Sequence, residues 1–171
     1  MSKRELKIYL NDLTKEQLQD QILDLYGRFK EVKEYYDFAF NPKEDKLLEQ
    51  CKFQISKEYF PVNGRKPKAR RSVAQKQIRH FKRLGMDSHL VADIMLYNLE
   101  IAQAYSNNKI IKSEAFYTSM LKSFEEAVAY IQEHGLMKEL ATRIEKIASE
   151  AWNQDWINKI AFERLASSQV G

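Results

Sequence analysis

Two acidic residues in the most apolar segment of the chain are candidates for chemistry. Asp93 and Glu100 stand seven residues apart, which places them on one face of a helix, with Tyr97 between them. A carboxyl group that faces a protein core must find a partner or shift its pKa, and such groups occur in small hydrolases and ligand pockets. One hypothesis is therefore a polar pocket at these three residues. We favour the alternative that this face is the exposed strip of the helix, or that basic side chains of the preceding predicted helix neutralise it.

The residues that commonly bind metals or attack substrates are scattered. His80, His89 and His134 show no spacing that would place two ligands on one helix face. Cys51, the single cysteine, lies among apolar residues and is expected to be a small core residue. No glycine-rich phosphate loop and no nucleophile elbow is present. The sequence predicts no metal, no cofactor and no catalytic residue, and it favours a protein that is not an enzyme.

The strongest feature is a basic segment between Tyr59 and Gly85, which contains two of the chain's three prolines. Its cations have no Asp or Glu between them that could neutralise them. A loop of this kind can place several cations along a phosphate backbone, and Tyr59 and Phe60 offer surfaces on which bases could stack. The nine basic residues are Arg65, Lys66, Lys68, Arg70, Arg71, Lys76, Arg79, Lys82 and Arg83.

Three interpretations of this segment remain open. It binds nucleic acid without sequence preference, it docks on an acidic protein in an adaptor role, or it is only a solvated surface. Outside the segment, nineteen Lys and Arg stand against twenty-four Asp and Glu, so the basic character of the chain is local. The acidic partner could be a second copy of the chain, whose oligomeric state the sequence leaves open.

Composition and length predict where the protein works. No apolar run approaches the length of a membrane span, and the charged N-terminus lacks the apolar stretch of a signal peptide. A lone cysteine gives no disulfide framework. We therefore expect a cytoplasmic protein that does not enter membranes.

The apolar spacing predicts an all-α fold, in which Ser2 and Thr14 begin helices and Gly85 ends one. Seven to eight helices should form antiparallel hairpins, arranged as a short α-solenoid or an irregular bundle, with the fifth and sixth predicted helices at the centre. The 171 residues are expected to form one domain, with an exposed basic loop at about 61–71. A heptad-like seam from Leu18 to Tyr36 predicts one long helix. The core is predicted to include Phe29, within this seam, and Leu96, Phe124 and Ile144 of later helices.

Seven short segments along the chain form a characteristic set. They are Ser-Lys-Arg-Glu-Leu from Ser2, Leu-Thr-Lys-Glu-Gln-Leu from Leu13, Lys-Glu-Tyr-Tyr-Asp-Phe from Lys33, Asn-Pro-Lys-Glu-Asp-Lys from Asn41, Glu-Tyr-Phe-Pro-Val from Glu58, Arg-Ser-Val-Ala-Gln-Lys from Arg71 and Glu-Ala-Phe-Tyr from Glu114. Taken together, they resemble an uncharacterised bacterial family of small helical proteins, a domain of unknown function. The resemblance covers nearly the whole chain. It implies a single-domain cytoplasmic protein, and it supplies no catalytic residue.

Overall fold

The computed structural model of the chain describes residues 1–62, 64–107, 109 and 111–168. Within these residues the backbone forms nine α-helices and no strand, which confirms the all-α prediction. The helix count is close to the seven or eight that were expected. The helices are α1 (Lys3–Asn11), α2 (Lys15–Arg28), α3 (Lys30–Phe40), α4 (Glu44–Tyr59), α5 (Arg71–Leu84), α6 (Ser88–Ser106), α7 (Glu114–Glu133), α8 (Met137–Asn153) and α9 (Lys159–Ser167). None of the described helices is both long and apolar enough to cross a membrane.

The chain divides into two compact units, Met1–Lys43 and Glu44–Gly171. The first unit holds α1, α2 and α3, and none of its residues is buried. Two capping boxes start its first two helices, since the hydroxyls of Ser2 and Thr14 accept hydrogen bonds from backbone N–H groups three residues on. Local capping, rather than burial, defines these helix starts.

The predicted long helix across the seam is wrong, because the chain turns at Phe29. This residue has an extended backbone, with φ −117° and ψ 118°, and it separates α2 from α3. The two helices then pack on each other, and Tyr26 Oη donates a hydrogen bond to Asp37 Oδ1 at 2.7 Å. The assignment of Phe29 to the core is also wrong, since 47% of the residue is exposed at this turn.

The second unit is built from three helical hairpins, α4–α5, α6–α7 and α8–α9. Hydrogen bonds show the relative direction of α6 and α8. Asp93 pairs with Arg143 near one end of the contact, and Ser106 pairs with Gln154 near the other. Residue numbers rise together along both helices, so α6 and α8 run in parallel. The predicted hairpins are therefore stacked side by side, in the manner of a short solenoid.

The α6 helix is the centre of this unit, as its nearly all-round apolar sequence predicted. It contacts α4, α5, α7 and α8, and ten of its nineteen residues are buried. Two of the core assignments made from sequence, Leu96 on α6 and Phe124 on α7, are fully buried. The ring of Phe124 stacks on Phe162 of α9 with 4.8 Å between the centroids, which ties the last hairpin to the preceding one.

Candidate functional site

The first part of the basic segment is the connection between α4 and α5, which we call the basic connection. Hydrogen bonds hold its C-terminal end against α4. Glu58, in the last turn of α4, accepts backbone N–H bonds from Lys68 and Ala69 on its carbonyl oxygen, at 3.0 and 2.9 Å. Its carboxylate accepts two more bonds from Arg70, through Nε at 2.9 Å and Nη2 at 2.8 Å. This bidentate pair holds the pKa of Glu58 below its usual range. The chain therefore enters α5 from a fixed position, while the side chains ahead of Lys68 remain outside the contact.

Arg71, the first residue of α5, joins that helix to α7. Its Nε donates to Ser123 Oγ at 2.8 Å, and its Nη2 lies 2.7 Å from Glu126 Oε2. One turn later, Gln75 donates to the same Glu126 carboxylate at 3.0 Å. These contacts are partly buried, and Arg71 is only 22% exposed at its side chain.

The premise that no acid neutralises the basic segment is wrong for Arg70 and Arg71. Their partners, Glu58 and Glu126, lie outside the segment in sequence and are brought to it by the hairpin packing. Lys82 also has an internal partner, because its Nζ lies 4.0 Å from the centroid of the Tyr130 ring. Three of the nine predicted binding cations therefore contribute to the fold.

The other six cations are all exposed, and in the described part of the chain none of them has an ion pair, a side-chain hydrogen bond or a ring contact. We call them the unpaired cations. Half of them precede α5, and the other half stand on it at successive spacings of three and four residues, which makes one outward stripe. Asn63, inside the predicted loop, lies outside the described residues. The unpaired cations are Arg65, Lys66, Lys68, Lys76, Arg79 and Arg83.

A pocket of about 460 Å³ opens beside the start of α5. Tyr105 at the end of α6, Ser113 ahead of α7 and Ser119 on α7 contribute polar groups to its wall. Sequence reasoning missed these residues, because they come from elements more than thirty positions away from the basic loop and carry no motif of their own. The full lining is Pro67, Lys68, Ala69, Arg70, Arg71, Ser72, Tyr105, Ile111, Ser113, Ala115, Phe116, Ser119 and Met120.

Of the two aromatic residues predicted to offer stacking surfaces, only one does. Tyr59 is buried at 1% exposure, so its assignment as a stacking surface is wrong. Its hydroxyl lies 3.5 Å from the Asn98 side-chain oxygen in the interior. Phe60 is 48% exposed, and its ring meets Tyr105 edge to face with 6.1 Å between the centroids. An exposed aromatic edge thus lies next to the pocket.

Asp93 and Glu100 come together on one arginine. Arg143 of α8 donates through Nη1 to Asp93 at 2.6 Å, and through Nε and Nη2 to the two Glu100 oxygens at 2.5 and 2.8 Å. Lys52 of α4 approaches the second Asp93 oxygen at 2.5 Å, and its Nζ lies 5.4 Å from the centre of the Tyr97 ring. The neutralising side chains therefore come from α4 and α8, not from the helix that precedes α6.

The electrostatics of this junction favour an ionised Asp93. Burial alone would raise the pKa of Asp93, but hydrogen bonds from Lys52 and Arg143 outweigh it and hold that pKa below the usual range. The same pairing raises the pKa of Arg143. The two carboxylates, with Lys52 and Arg143, therefore join three helices.

The remaining candidates for reactive chemistry lie apart from one another. Cys51 is 2% exposed, and burial raises the pKa of its thiol to about 12, so it is a core residue as expected. His134 Nδ1 lies 2.8 Å from the Tyr130 carbonyl oxygen at the end of α7, and His89 lies 3.6 Å from Glu139. Among the described residues, no three His, Cys, Asp or Glu side chains group in a way that could hold a metal ion.

Comparison with known proteins gives one match. The model of a family described as a family of unknown function (DUF6155) matches residues 1–169. No curated protein and no solved structure matches the chain.

Proposed function

Because this chain belongs to the DUF6155 family, a family of unknown function, through nearly all of its length, we propose its function from the geometry alone. It is a binding domain that holds nucleic acid without sequence preference through the unpaired cations. We also propose that it does so in the cytoplasm, where the lone thiol of Cys51 suits a reducing compartment.

The observation that carries this proposal is the separation of the nine cations into two groups. Three of them are held by partners inside the fold, whereas six project from one connection and one helix stripe without an ion pair among the described residues. A cation without a protein partner gives up little when a phosphate approaches, and each phosphate contact releases a condensed counterion. The surface is thus suited to a polyanion.

The neighbourhood of these cations favours nucleic acid over an acidic protein. The exposed ring of Phe60 and the edge of Tyr105 lie beside the basic connection, and aromatic surfaces next to cations bind unstacked bases. Stacking on such rings does not distinguish one base from another. We therefore expect binding that tolerates any sequence and prefers single strands.

A salt titration with a matched pair of variants tests the proposal. The site variant carries Lys66→Glu, Arg79→Glu and Arg83→Glu, which leaves the structural Arg70 and Arg71 intact. The control carries Lys138→Glu, Lys146→Glu and Arg164→Glu, three exposed residues of α8 and α9, and it changes the net charge by the same amount. Circular dichroism checks that all proteins keep their helical content.

We expect the wild type to bind DNA and RNA with affinity that falls steeply with salt. Four to six phosphate contacts give a log–log slope near about −3 to −5 on duplex DNA. The site variant should lose most of its affinity and about three units of slope, while the control should resemble the wild type. Absence of binding at low salt, or equal losses in both variants, would contradict the proposal. Retention of the wild type on polyglutamate but not on DNA would instead indicate an acidic protein partner.

A further inference from the structure

The pocket beside α5 combines groups that suit a phosphate. Lys68 stands on its wall as an unpaired cation, and Arg70 and Arg71 add two guanidinium groups. Arg71 Nη2 is buried and makes no hydrogen bond of good geometry, although it lies 2.7 Å from Glu126 Oε2. None of the described residues that line the pocket is acidic. Lys68 has no ion pair, and the carboxylates that pair with Arg70 and Arg71 lie outside the described lining, so this wall as a whole attracts an anion.

Hydroxyls and two helix starts add donors to the same wall. Ser72 and Ser119 line the pocket, as does Ser113, which is the N-cap residue of α7 and makes no capping hydrogen bond with its side chain. The α5 helix also begins at this wall, after Arg70, without a side-chain cap. The backbone N–H groups of both first turns therefore supplement the side-chain cations.

The rest of the lining is apolar and includes an aromatic ring. Tyr105, Ile111, Phe116 and Met120 form this part of the wall, and Tyr105 also contacts the exposed Phe60. A volume of about 460 Å³ falls within the range of pockets that take small organic ligands. A phosphate at the cationic wall would leave room for a planar base against the apolar one.

We infer that this pocket binds a phosphate monoester of a nucleoside. The source is either a free mononucleotide or the phosphorylated end of a strand, and the strand-end case rests on the proposed nucleic-acid function. Lys68 binds the phosphate, the guanidinium charge of Arg71 adds to its attraction, Ser113 donates a hydrogen bond to it, and Tyr105 packs on the base.

The test compares two strands that carry the same charge. One has a 5′-phosphate, and the other has a 5′-hydroxyl and is two nucleotides longer. Ser113→Asp places a carboxylate in the pocket but preserves helix α7, because Asp is as good an N-cap as Ser and suits the helix dipole. Thr118→Asp adds the same charge to an exposed position of α7 outside the pocket, and it serves as the control.

We expect the wild type and Thr118→Asp to bind the 5′-phosphorylated strand about tenfold more tightly than the charge-matched strand. Ser113→Asp should bind both strands equally. This pattern supports the inference with the strand end as the source.

If the wild type shows no preference or binds neither strand, binding of adenosine monophosphate by itself tests whether the pocket takes a nucleotide. Calorimetric binding of this nucleotide by the wild type and Thr118→Asp, but not by Ser113→Asp, supports the pocket with a free nucleotide as its ligand. Absence of that binding overturns the inference. If the wild type binds both strands equally, the proposed nucleic-acid surface is still supported. If it binds neither strand, the proposed nucleic-acid function is contradicted, whatever the nucleotide experiment shows about the pocket.

Discussion

At the scale of single residues, pairing decides which charges are available to a partner. Arg70 and Lys68 are two positions apart, yet the first is held by Glu58 through two hydrogen bonds and the second has no ion pair among the described residues. A phosphate would have to displace Glu58 from Arg70, and that exchange gains little. The positions of acidic residues on neighbouring helices therefore determine which cations are available to bind a partner.

The same principle predicts the effect of removing Arg143. Its loss leaves Asp93 and Glu100 without their shared partner at a half-buried junction, so Arg143→Met should lower the free energy of unfolding by about 2–4 kcal/mol at pH 7. Urea unfolding followed by circular dichroism measures this change. Arg164→Met, at an exposed position of α9, is the control and should change stability by less than about 0.5 kcal/mol.

This destabilisation should also depend on pH. The folded-state pKa of Asp93 lies below the ordinary value of 3.8, so its contribution is complete above that value and is lost as the pH falls through the folded-state pKa. In Arg143→Met the stabilising contribution of the Asp93 carboxylate is already reduced, because the hydrogen bond from Arg143 is absent. The stability difference between wild type and variant should therefore narrow in acid below about pH 4. A difference that stays constant into acid would show that the junction acts by packing rather than by charge.

At the scale of elements, the helix ends follow local chemistry closely. Gly85 follows α5 with φ of 74°, in the left-handed conformation that the sequence predicts for a glycine at a helix end. Gly27, by contrast, lies within a helix, α2, rather than after its end. A Cβ added at either glycine would meet no other atom within 4 Å. Backbone conformation alone should therefore decide what a substitution does.

One substitution at these two positions should have opposite effects. Gly85→Ala should lower the free energy of unfolding by about 1 kcal/mol, since a Cβ disfavours the left-handed conformation. Gly27→Ala should stabilise helix α2 by about 0.5–1 kcal/mol, since alanine loses less backbone entropy in a helix. Thermal unfolding monitored by circular dichroism measures both changes. Effects of the same sign would contradict the conformational explanation.

At the scale of the whole molecule, burial is concentrated in the second unit. Every buried residue that the structure describes lies between Cys51 and Ala166, whereas the unit Met1–Lys43 has none. Burial of apolar area is the main source of folding free energy. The second unit should therefore contain nearly all of the cooperative stability of the chain. The expectation of a single domain for residues 1–171 stays a prediction, and a fragment can test it.

A fragment that begins at Glu44 should fold without the first unit. Trp156 is 2% exposed and packs against Phe162 at 5.4 Å between ring centroids, so its fluorescence reports on the core. We expect the fragment and the full chain to show the same emission maximum and nearly the same urea midpoint. A large loss of stability in the fragment would show that the first unit is part of one cooperative domain.

The sequence by itself determined the features that depend on near neighbours. Apolar spacing identified the helices of the second unit and the central place of α6, and cap residues such as Ser2, Thr14 and Gly85 marked helix ends correctly. These features follow from contacts within a turn or two of one helix. The same local reasoning failed at Phe29, where the chain turns between α2 and α3 although the apolar spacing continues without a break.

The tertiary structure alone decided which side chains face one another. Glu58 and Glu126 neutralise two arginines of the basic segment, and Arg143 gathers two acids from forty-three or more positions away. The pocket likewise draws Tyr105 and Ser113 to the basic connection. Partners at such separations are fixed by how hairpins stack, and the stacking depends on the shape of the whole core rather than on any local pattern. The sequence therefore located the basic segment, and the packing selected the six cations within it that remain unpaired.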